Sequence, residues 1–242
     1  MKVQYLGDVN DYRKYALLRL LSSAGLKLGV NWLLTPDDGR NDGRNRSYLM
    51  QRDIWRPYDP DLFDLLAGVS SDPTFDDFRQ IEKEGIIPGA LYFDLTVPTG
   101  LEARTKFHAA SMKAFESSDL VFFDPDNGLA TKSTSKNSRD GVKFVFDNEL
   151  SDHYRAGRSI LVYQHFPRVE RTSFIRALSA RLRRFAPDAE IWACHTTHVA
   201  FMLAAKPSRP ADHVGAISAA IENGRGRWPE AFFKFERMTV GP

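Results

Sequence analysis

Leu120-Val121-Phe122-Phe123, followed at once by Asp124-Pro125-Asp126-Asn127-Gly128, is the stretch on which the fold turns. Four consecutive large apolar residues, one of them β-branched, read as a strand buried on both faces. The five that follow cannot extend it: proline has no N–H to give a ladder, and Asp, Asn and Gly are turn formers. Two carboxylates and an amide are thus delivered together at the carboxyl end of a strand. In open α/β sheets that edge is where ligands bind. Asp124, Asp126 and Asn127 are therefore the first candidates for chemistry.

Outward from this point, strand-like runs alternate with helical ones. Strands are predicted at 28–34, 90–95, 120–123, 142–146, 160–163, 191–193, 199–204 and 232–235. Helices are predicted at 11–24, 74–84, 101–115, 171–185 and 211–222, the last opened by Pro210 and closed by Gly224. Such alternation predicts an α/β fold, a three-layer α/β/α sandwich around a mostly parallel sheet. The 242 residues form a single expected domain, with long loops near 35–47 and 127–141 placed as active-site loops.

Composition narrows the classes. With 33 Lys+Arg against 31 Asp+Glu, the net charge is +2, so local patches must decide any affinity for nucleic acid. The single cysteine, Cys194, excludes an internal disulfide framework and a multi-cysteine zinc site. Met1-Lys2-Val3-Gln4-Tyr5 lacks the apolar core of a signal peptide, and no apolar run has membrane-spanning length. The expectation is a cytoplasmic protein with no membrane partner and an oligomeric state the sequence does not fix.

Four further constellations surround the opening motif. Gly7-Asp8-Val9-Asn10-Asp11-Tyr12-Arg13-Lys14 leads into an apolar helix; Asp8 or Asn10 suits an N-cap, while Lys14 and Arg13 at a helix start suit an anionic ligand. Thr35-Pro36-Asp37-Asp38-Gly39-Arg40 follows a strand and reads as a charged active-site loop, with Asp37, Asp38 and Arg40 as ligand contacts. Tyr163-Gln164-His165-Phe166-Pro167-Arg168 closes a later strand at the same edge. There His165 can serve as acid or base, and Gln164 can read a base edge. Arg168, Arg171, Arg176, Arg181, Arg183 and Arg184 make the next helix a local basic patch that can follow phosphates. Cys194, His195 and His198 fall within five positions, but strand alternation scatters them over two faces.

In order, these motifs resemble the adenine-N6 methyltransferases that modify large-subunit ribosomal RNA. Gly7, Asp11 and Lys14 match that family's opening Gly-x-x-x-Asp-x-x-Lys, and Asp124-Pro125-Asp126-Asn127 partly matches its strand-end Asp-Pro-Pro-Tyr. The resemblance implies a Rossmann-like fold, S-adenosylmethionine (SAM) as cofactor, and an adenine turned out of its stack. Two departures bear on the chemistry. Leu34 stands where the family has a strand-end acid, and Asp126-Asn127 replaces the second proline and the stacking aromatic. A second resemblance is to uracil-DNA glycosylases, which set an Asp-Pro turn after one strand and a His-Pro-type turn after a later one. Asp124-Pro125 and His165-Phe166-Pro167 have that order, and it implies hydrolysis of a base–sugar bond.

The expected function is a nucleic-acid enzyme acting on an extruded base, hydrolytic in preference to methylating, with DNA ahead of RNA as partner. Asp124 and Asp126 would handle water or charge, Asn127 and Gln164 would recognise the base, and His165 would assist the leaving group. Asp8, Asn10, Lys14, Arg168 and Arg171, with the loop at Asp37, Asp38 and Arg40, would bind substrate. The preferred reading needs no cofactor and no resident metal. The alternatives are a SAM-dependent adenine-N6 methyltransferase, an Mg²⁺-dependent nuclease using Asp37, Asp38, Asp124 and Asp126, and a non-catalytic nucleic-acid-binding module.

Overall fold

The computed structural model describes residues 7–35, 45–70, 79–208 and 211–239. The chain begins with α1 (Val9–Ser22) and β1 (Leu28–Asn31), then passes through α2 (Arg52–Trp55), α3 (Pro60–Ser70) and α4 (Arg79–Lys83) to β2 (Leu91–Phe93). Next come α5 (Leu101–Ala114), β3 (Leu120–Phe123), α6 (Asp147–Arg155), β4 (Ser159–His165) and α7 (Arg171–Arg183). It ends with β5 (Glu190–His195), β6 (Val199–Ala205), α8 (His213–Arg227) and β7 (Lys234–Met238).

The strands form one seven-stranded sheet in the order β2-β1-β3-β4-β6-β5-β7. β1 to β4 are mutually parallel, and β6 lies antiparallel between β4 and β5, so β5 runs with the first four. β7 closes the edge against β5. From β1 the chain crosses outward to β2 and then returns to β3 on the other side of β1. The crevice between the carboxyl ends of β1 and β3 is thus the topological switch point.

Alternation along each strand sorts side chains into two cores. Leu28, Val30, Leu120, Phe122, Leu161, Tyr163 and Phe201 face α1, α3 and α8, while Val121, Phe123, Ile160, Val162 and Met202 face α5, α6 and α7. The period of two carries on past the strand ends. Asp124 therefore follows Phe122 onto the α1 side, and His165 follows Tyr163. On that side Tyr12 of α1 anchors the segment after β1: its hydroxyl accepts from Asp59 N–H at 3.0 Å and donates to Trp55 O at 2.9 Å. Tyr12 also stacks on Tyr48 with ring centroids 5.3 Å apart.

Several elements differ from the sequence expectation. The predicted strand at 142–146 is a 3-10 turn over Arg139–Lys143, after which Val145 makes only an isolated bridge to Leu129. The predicted stop at Gly224 lies inside α8, because the missing side chain lets α8 approach α1: a Cβ there would stand 2.6 Å from Leu20 Cδ2. α2, α3 and α6 fall in stretches where no helix is predicted. Only Arg79–Lys83 of the helix expected at 74–84 is seen as helix, since 71–78 lie outside the described residues, as does Pro210.

Gly29, in the middle of β1, makes a second close approach: a Cβ would meet Phe115 Cδ1 at 2.5 Å and two more ring carbons at 2.9 Å. Phe115 is fully buried and its ring cannot yield as an alkyl tip can. Gly29→Val should therefore destabilise the fold by about 2 kcal/mol despite the better strand propensity. Urea midpoints test this, and adding Phe115→Leu should return part of the loss.

Candidate functional site

The site begins with the start of α1. Asp8 caps the helix by accepting from the backbone N–H groups of Asn10 at 2.7 Å and Asp11 at 3.0 Å. Gly7, at φ 77°, takes a backbone conformation that side chains disfavour, and its N–H donates to Asp11 Oδ2 at 3.0 Å. One turn on, Lys14 Nζ donates to Asp11 Oδ1 and to Asp124 Oδ2, both at 2.7 Å. Tyr15 OH adds a bond to Asp11 at 3.3 Å. The helix start and the strand end, 110 positions apart in sequence, are thereby joined through one buried ammonium. Lys14 is 4% exposed and Asp124 2%.

Burial pushes the Asp11 carboxyl up to about 6; Lys14 opposes this, and the carboxylates of Asp8 and Asp124 add to it. Burial alone would lower the Lys14 pKa, but Asp11 and Asp124 outweigh it and hold the ammonium charged. Burial likewise raises Asp8 against its two backbone bonds.

Around the switch point, Thr35 Oγ1 donates to Asp126 Oδ2 at 2.5 Å and so ties the end of β1 to the turn after β3. Leu33 precedes it at φ 45°, a left-handed backbone in a branched residue. A buried relay supports that bend from behind. Arg158 donates to His153 Nδ1 (3.3 Å), and His153 Nε2 lies 3.3 Å from Ser111 Oγ. Ser111 Oγ accepts from Asn31 Nδ2 (3.0 Å), and Asn31 Oδ1 accepts from Leu33 N–H (3.3 Å). Asn127 and His165 form the exposed rim. Crowding by surrounding protein lowers the His165 pKa; Asp124 opposes this, Lys14 adds to it, and Asp126 and Asp8 oppose it.

Gln164 fixes the turn. Its Oε1 accepts from Leu129 N–H at 2.9 Å, and its Nε2 donates to His165 O at 2.9 Å and Asn127 O at 3.4 Å. Gly128, at φ 88°, leaves the room, since a Cβ there would lie 2.2 Å from Gln164 Oε1.

The structure thus brings together Asp8, Asp11, Lys14, Asp124, Asp126, Asn127 and His165, and it corrects some of their expected roles. Lys14 is buried and held by two carboxylates, so it positions Asp124 and does not contact phosphate. Arg13 is also buried: it donates to Ala231 O at 3.2 Å and lies over Trp55 with Cζ 5.1 Å from the ring centroid. Gln164 is buried and gives its amide to the turn backbone, so it holds the turn and does not present itself to a base edge. Asp8 is an N-cap. Asn10 is half-buried, and its Oδ1 finds no partner among the described residues. Arg168 and Arg171 are exposed near the start of α7, with Arg171 Cζ 5.6 Å from the Phe166 ring centroid. Arg181 and Arg183 of the basic helix bind Asp147 and backbone carbonyls. Asp37, Asp38 and Arg40 lie outside the described residues.

One residue of the cluster was not among the candidates: Asp11 suits the first turn of the helix by its charge and matches the family's opening motif, and nothing in the sequence says that its partner is also Asp124's. Asp94 follows β2 directly, and β2 pairs in register with β1 through Asn31 and Phe93. Asp94 thus stands at the same carboxyl edge as Asp124, one strand beyond β1. Among the described residues, no three or more His, Cys, Asp or Glu are arranged to hold a metal ion, and no helix is long and apolar enough to cross a membrane.

Removing Lys14 leaves two buried carboxylates facing each other. Lys14→Met should cost on the order of 3–5 kcal/mol near pH 8. The loss should shrink towards pH 5, where Asp11 takes up a proton. Denaturant titrations at the two pH values measure both effects. In the unaltered chain two groups set opposing pH effects. Because the Asp11 pKa is raised in the fold, its contribution weakens as pH rises from about 4 to about 6. Burial and Arg158 depress His153 from 6.5 to about 3, so its contribution is lost as pH falls below 6.5. Between about pH 4 and 6 the two groups offset each other, one proton against one, so together they lower stability on acidification only between pH 6.5 and 6. Removing the imidazole leaves the Asp11 effect alone, so His153→Gln should turn the change from pH 6 to pH 5 into a gain in stability, measured by urea titrations at pH 5, 6 and 7.

No family model matches the chain, and no curated protein matches it either. A solved structure from Legionella pneumophila str. Philadelphia 1, the protein LPL1258 of the family DUF519, is similar at 11% identity and a TM-score of 0.47. The match covers 96% of this chain and 98% of that one.

Proposed function

We propose that this chain is a nucleic-acid-directed enzyme that takes an extruded base into the crevice between β1 and β3. Of the two chemistries the sequence suggests, we favour methyl transfer to a base amino group over hydrolysis of the base–sugar bond. The observation that carries this reading is the chain Asp11–Lys14–Asp124. It joins the two sequence segments on which the resemblance to adenine-N6 methyltransferases rests, and it takes Asp124 out of contact with water. A carboxylate that acts as general base on water must gain a proton, whereas protonating Asp124 would break a buried ion pair.

A nucleoside cofactor such as SAM would lie over the carboxyl ends of β1 and β2. Asp94 stands where a ribose acceptor belongs, and the switch point lies beside it. When bound, SAM would supply the methyl group. On the protein side, Asp124 and Asp126 present negative potential to an amino group whose nitrogen gains positive charge as the new bond forms. The proton that this nitrogen releases can pass to His165, which its lowered pKa keeps neutral near pH 7. Asn127, exposed beside them, can hydrogen-bond the base edge. Such an enzyme would work in the cytoplasm.

Hydrolysis keeps one supporting observation: Asp126 is less buried than Asp124 and shares the rim with His165. One assay separates the readings. The chain is incubated with single-stranded DNA or RNA, with and without isotopically labelled SAM. Methyl transfer predicts micromolar SAM binding by calorimetry and label in adenine, with Asp124→Ala lowering the rate by roughly 100-fold or more. Abasic product formed without SAM would overturn it in favour of hydrolysis.

A further inference from the structure

A cavity of about 500 Å³ opens on the α6–α7 side of the sheet, away from Lys14. It lies between the loop after β3, the first residues of α6 and the later turns of α7. Its charged lining is Lys132, Arg181 and Arg184 against one carboxylate, Asp147. Arg181 is already committed: its Nε reaches the two Asp147 oxygens at 2.8 and 3.0 Å, and its Nη2 donates to Ala130 O at 2.6 Å. The side chains of Lys132 and Arg184 have no hydrogen bond or ion pair among the described residues. The cavity thus carries two unshared positive charges. Phe146, half-buried, and Asn148, exposed, complete the wall.

We propose that this cavity is a second ligand site, for a nucleotide carrying a phosphate. Its volume lies within the range of small-ligand pockets. Lys132 and Arg184 supply the charge that a phosphate requires and that no described residue matches. A phosphate alone would need no aromatic wall. Arg104 Cζ and Lys136 Nζ lie 5.5 and 5.0 Å from the Phe146 ring centroid, and the part of the ring they leave to the cavity offers an apolar surface for the base. The Asn148 amide offers both a donor and an acceptor for its edge. No lining residue belongs to the strand-end site, so the proposal stands whether or not that crevice transfers methyl groups. The nucleotide can be free or part of a nucleic-acid chain, since both present the same phosphate and base.

Calorimetry on the full chain with AMP, adenosine and inorganic phosphate tests the site, alongside fluorescence anisotropy with ten-nucleotide single-stranded RNA and DNA. AMP should bind more tightly than adenosine or phosphate. The double variant Lys132→Glu/Arg184→Glu should weaken AMP at least tenfold with an unchanged thermal midpoint, because both side chains are exposed. If oligonucleotide affinity falls with it, and its salt slope drops by about two, the nucleotide belongs to a chain; if only AMP binding falls, it is free. The proposal is overturned if AMP binds neither form, or binds both equally. It is also overturned if Asp94→Ala removes AMP binding that the double variant retains, since that binding belongs to the strand-end crevice.

Discussion

Lys14 is the constraint around which the candidate site is built. A buried ammonium is tolerated only when carboxylates compensate it, and here Asp11 and Asp124 do so at 2.7 Å each. That requirement fixes the rotation of α1 over the sheet. It also sets the height of the α1 start relative to the end of β3, and it brings the turn Asp124–Gly128 onto the α1 face. The Asp8 cap and the Gly7 turn follow from it, because they hold Asp11 where Lys14 can reach it. Breaking this pair leaves an unmatched buried charge, whereas losing an exposed surface pair costs little.

The polar groups around this ion pair divide into support and rim. Gln164 is bonded to the turn backbone, Thr35 clips the turn to β1, and the relay from Arg158 to Asn31 holds the bend at Leu33. These groups face inward, and their hydrogen bonds go to other protein atoms. Asn127 and His165 lie at the surface, next to carboxylates that are held in place. A rigid charged floor under an exposed rim of an amide and an imidazole suits recognition of a flat polar group such as a base. The same floor is ill suited to moving a proton on Asp124. This physical difference favours methyl transfer over hydrolysis in the proposed function.

Local patterns that depend only on neighbours in sequence were legible without coordinates. The alternating apolar runs specified a three-layer α/β sheet, since each strand must bury both faces. Leu120–Phe123 is a strand over those four residues, and the turn after it stands at the carboxyl edge at the switch point. The run at 142–146 misled because Val142 and Val145 are buried one by one, in a turn and a bridge, without a ladder. Gly224 misled because a glycine that ends a helix and one that lets two helices touch look alike in sequence.

The fold class and the strand-end position of Asp124 and Asp126 could be read from the residues alone, because periodicity is a local property of the chain. That β6 enters between β4 and β5, that Lys14 faces a carboxylate 110 positions away, and that Gln164 holds a turn became visible in the folded chain alone. Those outcomes depend on which charges share a low-dielectric interior. A buried charge must find its partner in space, and separation along the chain does not reveal which partner that is.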